Sequence, residues 1–149
     1  NGSVVSVRSA LAMLQKTNAA GLMIGRGAIR NPWLFDQIRD ALAGKPQFQP
    51  TLADLKTYIT DLYEAIAGTV INFHEKGHVQ RMKKFMNYIG SGISNGEFID
   101  QIRRTTTPEE FWSVCDQHLD SDKLMPINPS DDGKLFCGFG VLTEPATCK

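Results

Sequence analysis

The 149 residues hold no apolar run near the roughly eighteen that a membrane-spanning helix needs. No leader of the secretory kind opens the chain either, so the expectation is a cytoplasmic protein with no membrane contact. Charge of one sign is also missing. Sixteen Lys and Arg balance sixteen Asp and Glu, so nothing draws the whole molecule to nucleic acid or to a membrane. Any electrostatic role must come from local segregation of charge. Cysteine is scarce: Cys115, Cys137 and Cys148 are odd in number and form no CxxC, which favours a reducing setting over a disulfide framework. His74, His78 and His118 lack metal-ligand spacing with Cys or carboxylates, so no metal is expected, and surface or capping roles are. An initiator Met is absent too. The opening Asn1-Gly2-Ser3 reads as cut from something longer, which can carry a binding site and lack the catalytic group.

What is present is a globular composition, 42% hydrophobic and 21% charged. It has room for one ordinary domain, or for a small domain plus a piece of another. Residues 6–17 suit a helix, with Ser6 as cap and Val7, Ala10, Leu11 and Leu14 at helical spacing. After a turn over residues 18–21, Leu22-Met23-Ile24 is a short apolar run without alternation, as in a strand buried on both faces of a parallel sheet. Asn31-Pro32 reads as a helix cap and first position, with Leu34, Ile38 and Leu42 on one face until Gly44-Lys45-Pro46. Residues 1–44 thus have the rhythm of an α/β barrel or doubly wound sheet.

Residues 45–50 read as a linker, and the pattern beyond is all-helical. Thr51 with Asp54 opens a long helix carrying Leu52, Leu55, Ile59, Leu62, Ile66, Val70 and Phe73. A second helix is expected over about 78–90, with Met82, Phe85, Met86 and Ile89 inward, broken by Gly90-Ser91-Gly92. A short helix around 96–104 carries Phe98 and Ile102. Thr107-Pro108-Glu109-Glu110 then gives a cap, a first-position proline and a closing carboxylate for a helix through Phe111, Trp112, Cys115 and Leu119. Residues 51–119 therefore form a helical bundle, and 120–149 a tail of unassigned structure.

Two features carry chemistry. Gly25-Arg26-Gly27 follows the apolar run where the loops of a parallel α/β fold face the ligand. Glycines there let backbone N–H groups approach an anion, and arginine offers a planar fork to phosphate oxygens. In eight-stranded barrels a phosphate site is often built by the last two βα loops and a short extra helix, for which Ala28-Ile29 is the candidate turn. The alternative is a glycine turn beside a surface arginine. The second feature is cationic: Lys76, Arg81, Lys83 and Lys84 occur with no acid between Lys76 and Lys84. Arg81, Lys84 and Tyr88 share a helical face, and Arg103 and Arg104 extend the patch. Such a surface suits the phosphates of a folded RNA, or is simply a solvated face.

GLMIGRGAIRNPWLF, with NG at the start and VQRMKKFMNYIGSG beyond, resembles the C-terminal part of the tRNA-dihydrouridine synthase family over about residues 1–119. The resemblance implies the last βα units of an FMN-binding TIM barrel (1–44), a linker (45–50) and a helical RNA-binding domain (51–119). It implies that Gly25 and Arg26 hold the FMN phosphate, that Gly27 completes the turn, and that Asn1, Gly2 and Ser3 contribute from the preceding loop. Arg81, Lys83, Lys84, Tyr88, Arg103 and Arg104 would meet tRNA. The implied reaction is reduction of the uridine C5–C6 double bond in tRNA, with NADPH recharging the flavin, in a monomeric enzyme. The family's catalytic cysteine lies on an earlier barrel loop, and none of the three cysteines here matches its motif. No catalytic residue is expected in this chain, which alone should be inactive. Ala20 replaces a usual aspartate, and Phe85 a frequent histidine. Another FMN-dependent barrel oxidoreductase acting on a small molecule, or a non-catalytic RNA-binding module, are the alternatives.

Overall fold

In the computed structural model, residues 4–69, 74–91 and 93–126 are described. They divide into two compact units, Gln49–Met125 forming the second and the described residues on either side of it, up to Phe48 and from Pro126, belonging to the first.

The first unit is built on three helices. Helix α1, Val7–Thr17, opens on a reciprocal cap: the Ser9 amide donates to Ser6 Oγ (3.1 Å), and Ser9 Oγ accepts from the Ser6 and Val5 amides (3.0 Å each). It stops at Asn18, whose left-handed backbone (φ 50°) directs its N–H to the Leu14 carbonyl. Residues 20–24 follow without helical or ladder hydrogen bonds. Leu22 and Ile24 lie half-buried against the core, whereas Met23 is 68% exposed. A two-sided buried strand was expected there. No neighbouring strand pairs with it among the described residues, so only its helix-facing side is covered. Helix α2, Arg26–Arg30, and helix α3, Leu34–Leu42, complete the unit. Val4, Val7, Ala10, Leu34 and Ile38 form its core.

Helix α3 starts later than the Asn-Pro pair suggests. Asn31 ends α2 instead, and its Oδ1 accepts from the Trp33 amide (3.2 Å) in an Asx turn that bridges the two helices. Leu42, expected inward, is 60% exposed because α3 ends on it.

The second unit is helical. Thr51 caps helix α4, Leu52–Ala67, in a box with Asp54, whose carboxyl the Thr51 backbone and side-chain bonds hold below the usual range. Val70 and Phe73 lie outside the described residues. Helix α5, Glu75–Ile89, buries Val79, Met82, Met86 and Ile89, while Phe85 is only half-buried at the edge of that stripe. At Gly90 a Cβ would lie 3.0 Å from the Met86 carbonyl and 3.1 Å from Phe98 Cδ1, so the glycine lets the chain cross close to that ring. Ser94, Asn95 and Gly96 take positive φ (46°, 52° and 97°) and lead into helix α6, Glu97–Arg104. Helix α7, Pro108–Leu119, opens on the Thr107–Glu110 box read from the sequence. Bonds from the Thr106 and Thr107 amides hold the Glu110 carboxyl below its ordinary range. Residues 121–125 return beside the start of α4, with Leu52 N–H donating to Lys123 O (3.0 Å) and Met125 N–H to Pro50 O (2.8 Å).

His78 departs from expectation. It is 2% exposed, one turn from Met82 on the inward stripe of α5, and edge-on to Tyr63 with ring centroids 4.0 Å apart. Phe111 and Trp112 lie against the same Tyr63 (5.9 and 5.1 Å), making an aromatic cluster of α4, α5 and α7. Cys115 is fully buried and its thiol is pushed up to about 12 by burial, as a core residue rather than a nucleophile.

Two outcomes are expected. Thr107→Ala should cost about 1 kcal/mol in urea unfolding through loss of the cap, against about 3–5 kcal/mol for Phe111→Ala in the core. Burial lowers the His78 pKa below 6.5, the nearby Tyr63 backbone opposes the shift, and the Arg81 charge adds to it. The unfolded chain therefore binds the proton more readily, and stability should fall as pH drops through about 6.5 toward the folded value. His78→Phe should remove that slope, while the loss from Asp54 and Glu110 appears only below the usual carboxylate range.

Candidate functional site

The three residues Gly25, Arg26 and Gly27 sit where the extended segment turns into α2. The two glycines do different work. A Cβ on Gly25 would meet nothing within 4 Å, and the residue is exposed. A Cβ on Gly27 would lie 2.3 Å from the Val4 carbonyl oxygen and 3.1 Å from Val5 Cα. Gly27 is therefore the contact that lets α2 lie directly on the Val4–Val5 backbone, while Gly25 leaves its outer side open. Arg26 is half-buried between them.

Backbone donors at this turn remain available. The Gly25 carbonyl accepts from Ala28 (3.0 Å) and Ile29 (3.4 Å), but the N–H groups of Gly25 and Gly27 make no hydrogen bond among the described residues. At the start of α1, by contrast, Ser9 Oγ already takes the Val5 and Ser6 amides. The exposed Gly25, with open space above it, and the neighbouring Arg26 are residue types that suit an anion such as a phosphate, whereas Gly27 is buried. Asn1, Gly2 and Ser3 lie outside the described residues.

The cations of the second unit separate into two kinds. Lys83 is half-buried, and its Nζ donates to the Thr105 carbonyl (2.6 Å) at the end of α6. There it meets the negative end of that helix. Arg103 donates from Nε (3.2 Å) and Nη2 (3.0 Å) to Asn87 Oδ1, and from Nη1 to Asp100 (3.2 Å). Arg81 and Lys84 on α5 and Arg104 on α6 are exposed and form no ion pair among the described residues. Tyr88 is half-buried one turn beyond Lys84. The sequence did not distinguish these groups. Lys83 follows Met82 and flanks the buried stripe, which is the one signal that it faces the fold.

Gln37 was not singled out by its sequence context. It is fully buried on α3, with Oε1 accepting from Asn31 Nδ2 (2.7 Å) and Nε2 donating to the Phe48 carbonyl (2.8 Å). Among the described residues no group of His, Cys, Asp and Glu could hold a metal ion, and no helix is long and apolar enough to cross a membrane.

Because Gly27 has no room for a methyl group, Gly27→Ala should lift α2 from the Val4–Val5 backbone and cost about 1–3 kcal/mol. Gly25→Ala, with open space, should cost less. Urea unfolding of both variants checks the asymmetry.

The family model described as "Dihydrouridine synthase (Dus)" matches residues 1–123. A Rickettsia conorii protein named "Probable tRNA-dihydrouridine synthase" is 34% identical over 96 residues, covering 64% of this chain and 28% of that protein. A Mycobacterium tuberculosis protein of the same name is 27% identical over 160 aligned positions, covering 100% of this chain and 40% of its own length. A Helicobacter pylori protein, also so named, reaches 58% identity over 40 residues, 27% of this chain and 12% of its own length. The chain thus spans well under half the length of these relatives. With a family match over residues 1–123 of 149, the chain belongs to the dihydrouridine synthase family.

Proposed function

We propose that the chain is the C-terminal part of an FMN-dependent tRNA-dihydrouridine synthase, with residues 1–44 as the end of its TIM barrel and 51–119 as its helical tRNA-binding domain. The observation that carries the cofactor reading is the turn at Gly25–Gly27, where the exposed Gly25, whose N–H makes no hydrogen bond among the described residues, precedes Arg26. In this reading Gly25 and Arg26 bind the FMN phosphate, Gly27 seats the turn, and Asn1, Gly2 and Ser3 act from the preceding loop.

Bound FMN, recharged by NADPH, supplies the reducing equivalents for the uridine C5–C6 double bond in tRNA. The protein's task here is to fix the phosphate so that the flavin is held in one place. Protonation at carbon is assigned to a group outside this chain. Cys115 is unsuited, since it is fully buried in the helical core out of reach of a substrate and burial makes its thiol a weaker acid, and Cys137 and Cys148 lie outside the described residues. The chain alone is therefore expected to be inactive. The activity belongs to the whole protein, acting as a cytoplasmic monomer.

For tRNA, the exposed Arg81, Lys84 and Arg104 are assigned phosphate contacts, with Tyr88 beside them. Lys83 and Arg103 belong to the same patch, but their hydrogen bonds to Thr105 and Asn87 make them its scaffold as well.

Two variants of the whole protein test the two halves of this reading. Arg26→Ala should lower FMN occupancy on purification and leave tRNA binding intact. Arg81→Ala with Lys84→Ala should weaken tRNA binding without regard to sequence and reduce the log–log salt slope by about 2. Unchanged occupancy in the first, or an unchanged slope in the second, would remove the corresponding assignment.

A further inference from the structure

Helix α2 spans only Arg26–Arg30, far below the length at which a helix holds its own shape in water. Its conformation must be set by attachments at its ends. At the start, the attachment is Gly27 against the Val4 backbone. At the end, it is Asn31, which holds a different partner with each of four polar groups. Its N–H donates to Gly27 O (2.9 Å), its carbonyl accepts from Leu34 N (3.1 Å), its Oδ1 accepts from Trp33 N (3.2 Å), and its Nδ2 donates to Gln37 (2.7 Å).

Gln37 decides where Asn31 sits. It is 0% exposed, and an amide with no access to water must have both ends satisfied. One end takes Asn31 and the other donates to the Phe48 carbonyl (2.8 Å), eleven residues further along. The Trp33 ring lies 5.9 Å from the Phe48 ring, which adds a second tie to the same segment. Phe48, Gln37, Asn31 and Gly27 thus form one line of hydrogen bonds from the end of the first unit to the turn that carries the open N–H groups. We infer that Gln37 is a positioning residue for the phosphate-binding turn, acting through Asn31 on the Gly27 carbonyl. This rests on the FMN reading of that turn.

The test compares FMN with riboflavin, which has the same ring system and no phosphate. Dissociation constants for both are measured on the whole protein as wild type, Gln37→Leu, Gln37→Glu and Arg26→Ala. Hydrogen–deuterium exchange of the peptide containing Asn31 is measured alongside. Gln37→Leu should weaken FMN about tenfold, leave riboflavin within about twofold, and speed exchange at Asn31. A general loss of folding would weaken both ligands alike. Gln37→Glu should recover FMN affinity as pH falls, because a protonated carboxyl both accepts from Asn31 and donates to Phe48. If Arg26→Ala is selective for FMN while Gln37→Leu affects both ligands equally, or neither, the relay is overturned and the FMN reading stands. If Arg26→Ala shows no selectivity for FMN, the reading fails, and the relay with it.

Discussion

A five-residue helix cannot hold itself together, and the first unit is arranged around that constraint. Residues 26–30 complete barely one turn, so nucleation is never repaid by propagation. Shape comes from outside: a glycine with no room for a side chain, a capping asparagine and a buried glutamine. As at any helix start, the turn's first N–H groups have no intrahelical partners. In the proposed reading, structural need and ligand chemistry therefore meet at one place, with Asn31 and Gln37 securing the turn and Gly25 and Arg26 meeting the phosphate.

A comparable division appears in the second unit. Helix α5 presents an apolar stripe inward and cations outward, but the cations at its border serve the fold. Lys83 completes the end of α6, and Asn87 ties Arg103 back to α5. Fixing these groups costs side-chain entropy during folding; in the proposed tRNA reading that cost is then not met again at binding. Arg81, Lys84 and Arg104 are the exposed remainder of the cations.

Much of the helical pattern was legible because its signals are local. Ser6, Thr51 and Thr107 each cap the helix that follows, in boxes closed three residues later. The Gly-Arg-Gly turn leading into a short helix was legible as well. What failed depended on contacts across the chain or on small shifts of helix ends. Asn31-Pro32 resembles a helix start, yet the Asn31 side chain spends its oxygen on a turn and α3 begins at Leu34. His78 was given to the surface although its four-residue spacing from Met82 puts it on the buried stripe. The different duties of Gly25 and Gly27 depend on Val4, over twenty residues upstream, and those of Gln37 on Phe48. No local pattern encodes either. The apolar run 22–24 lies half-covered for the same reason, since a strand's second face is supplied by other strands.

In the proposed reading, Gly25 and Arg26 hold the flavin phosphate and Gly27 seats the turn. The most direct measurement is an amide spectrum of the whole protein labelled with 15N at glycine, recorded with FMN and then with riboflavin. The expected result is a large shift of the Gly25 resonance with FMN that riboflavin does not reproduce. Equal shifts with both ligands, or none with FMN bound, would contradict it.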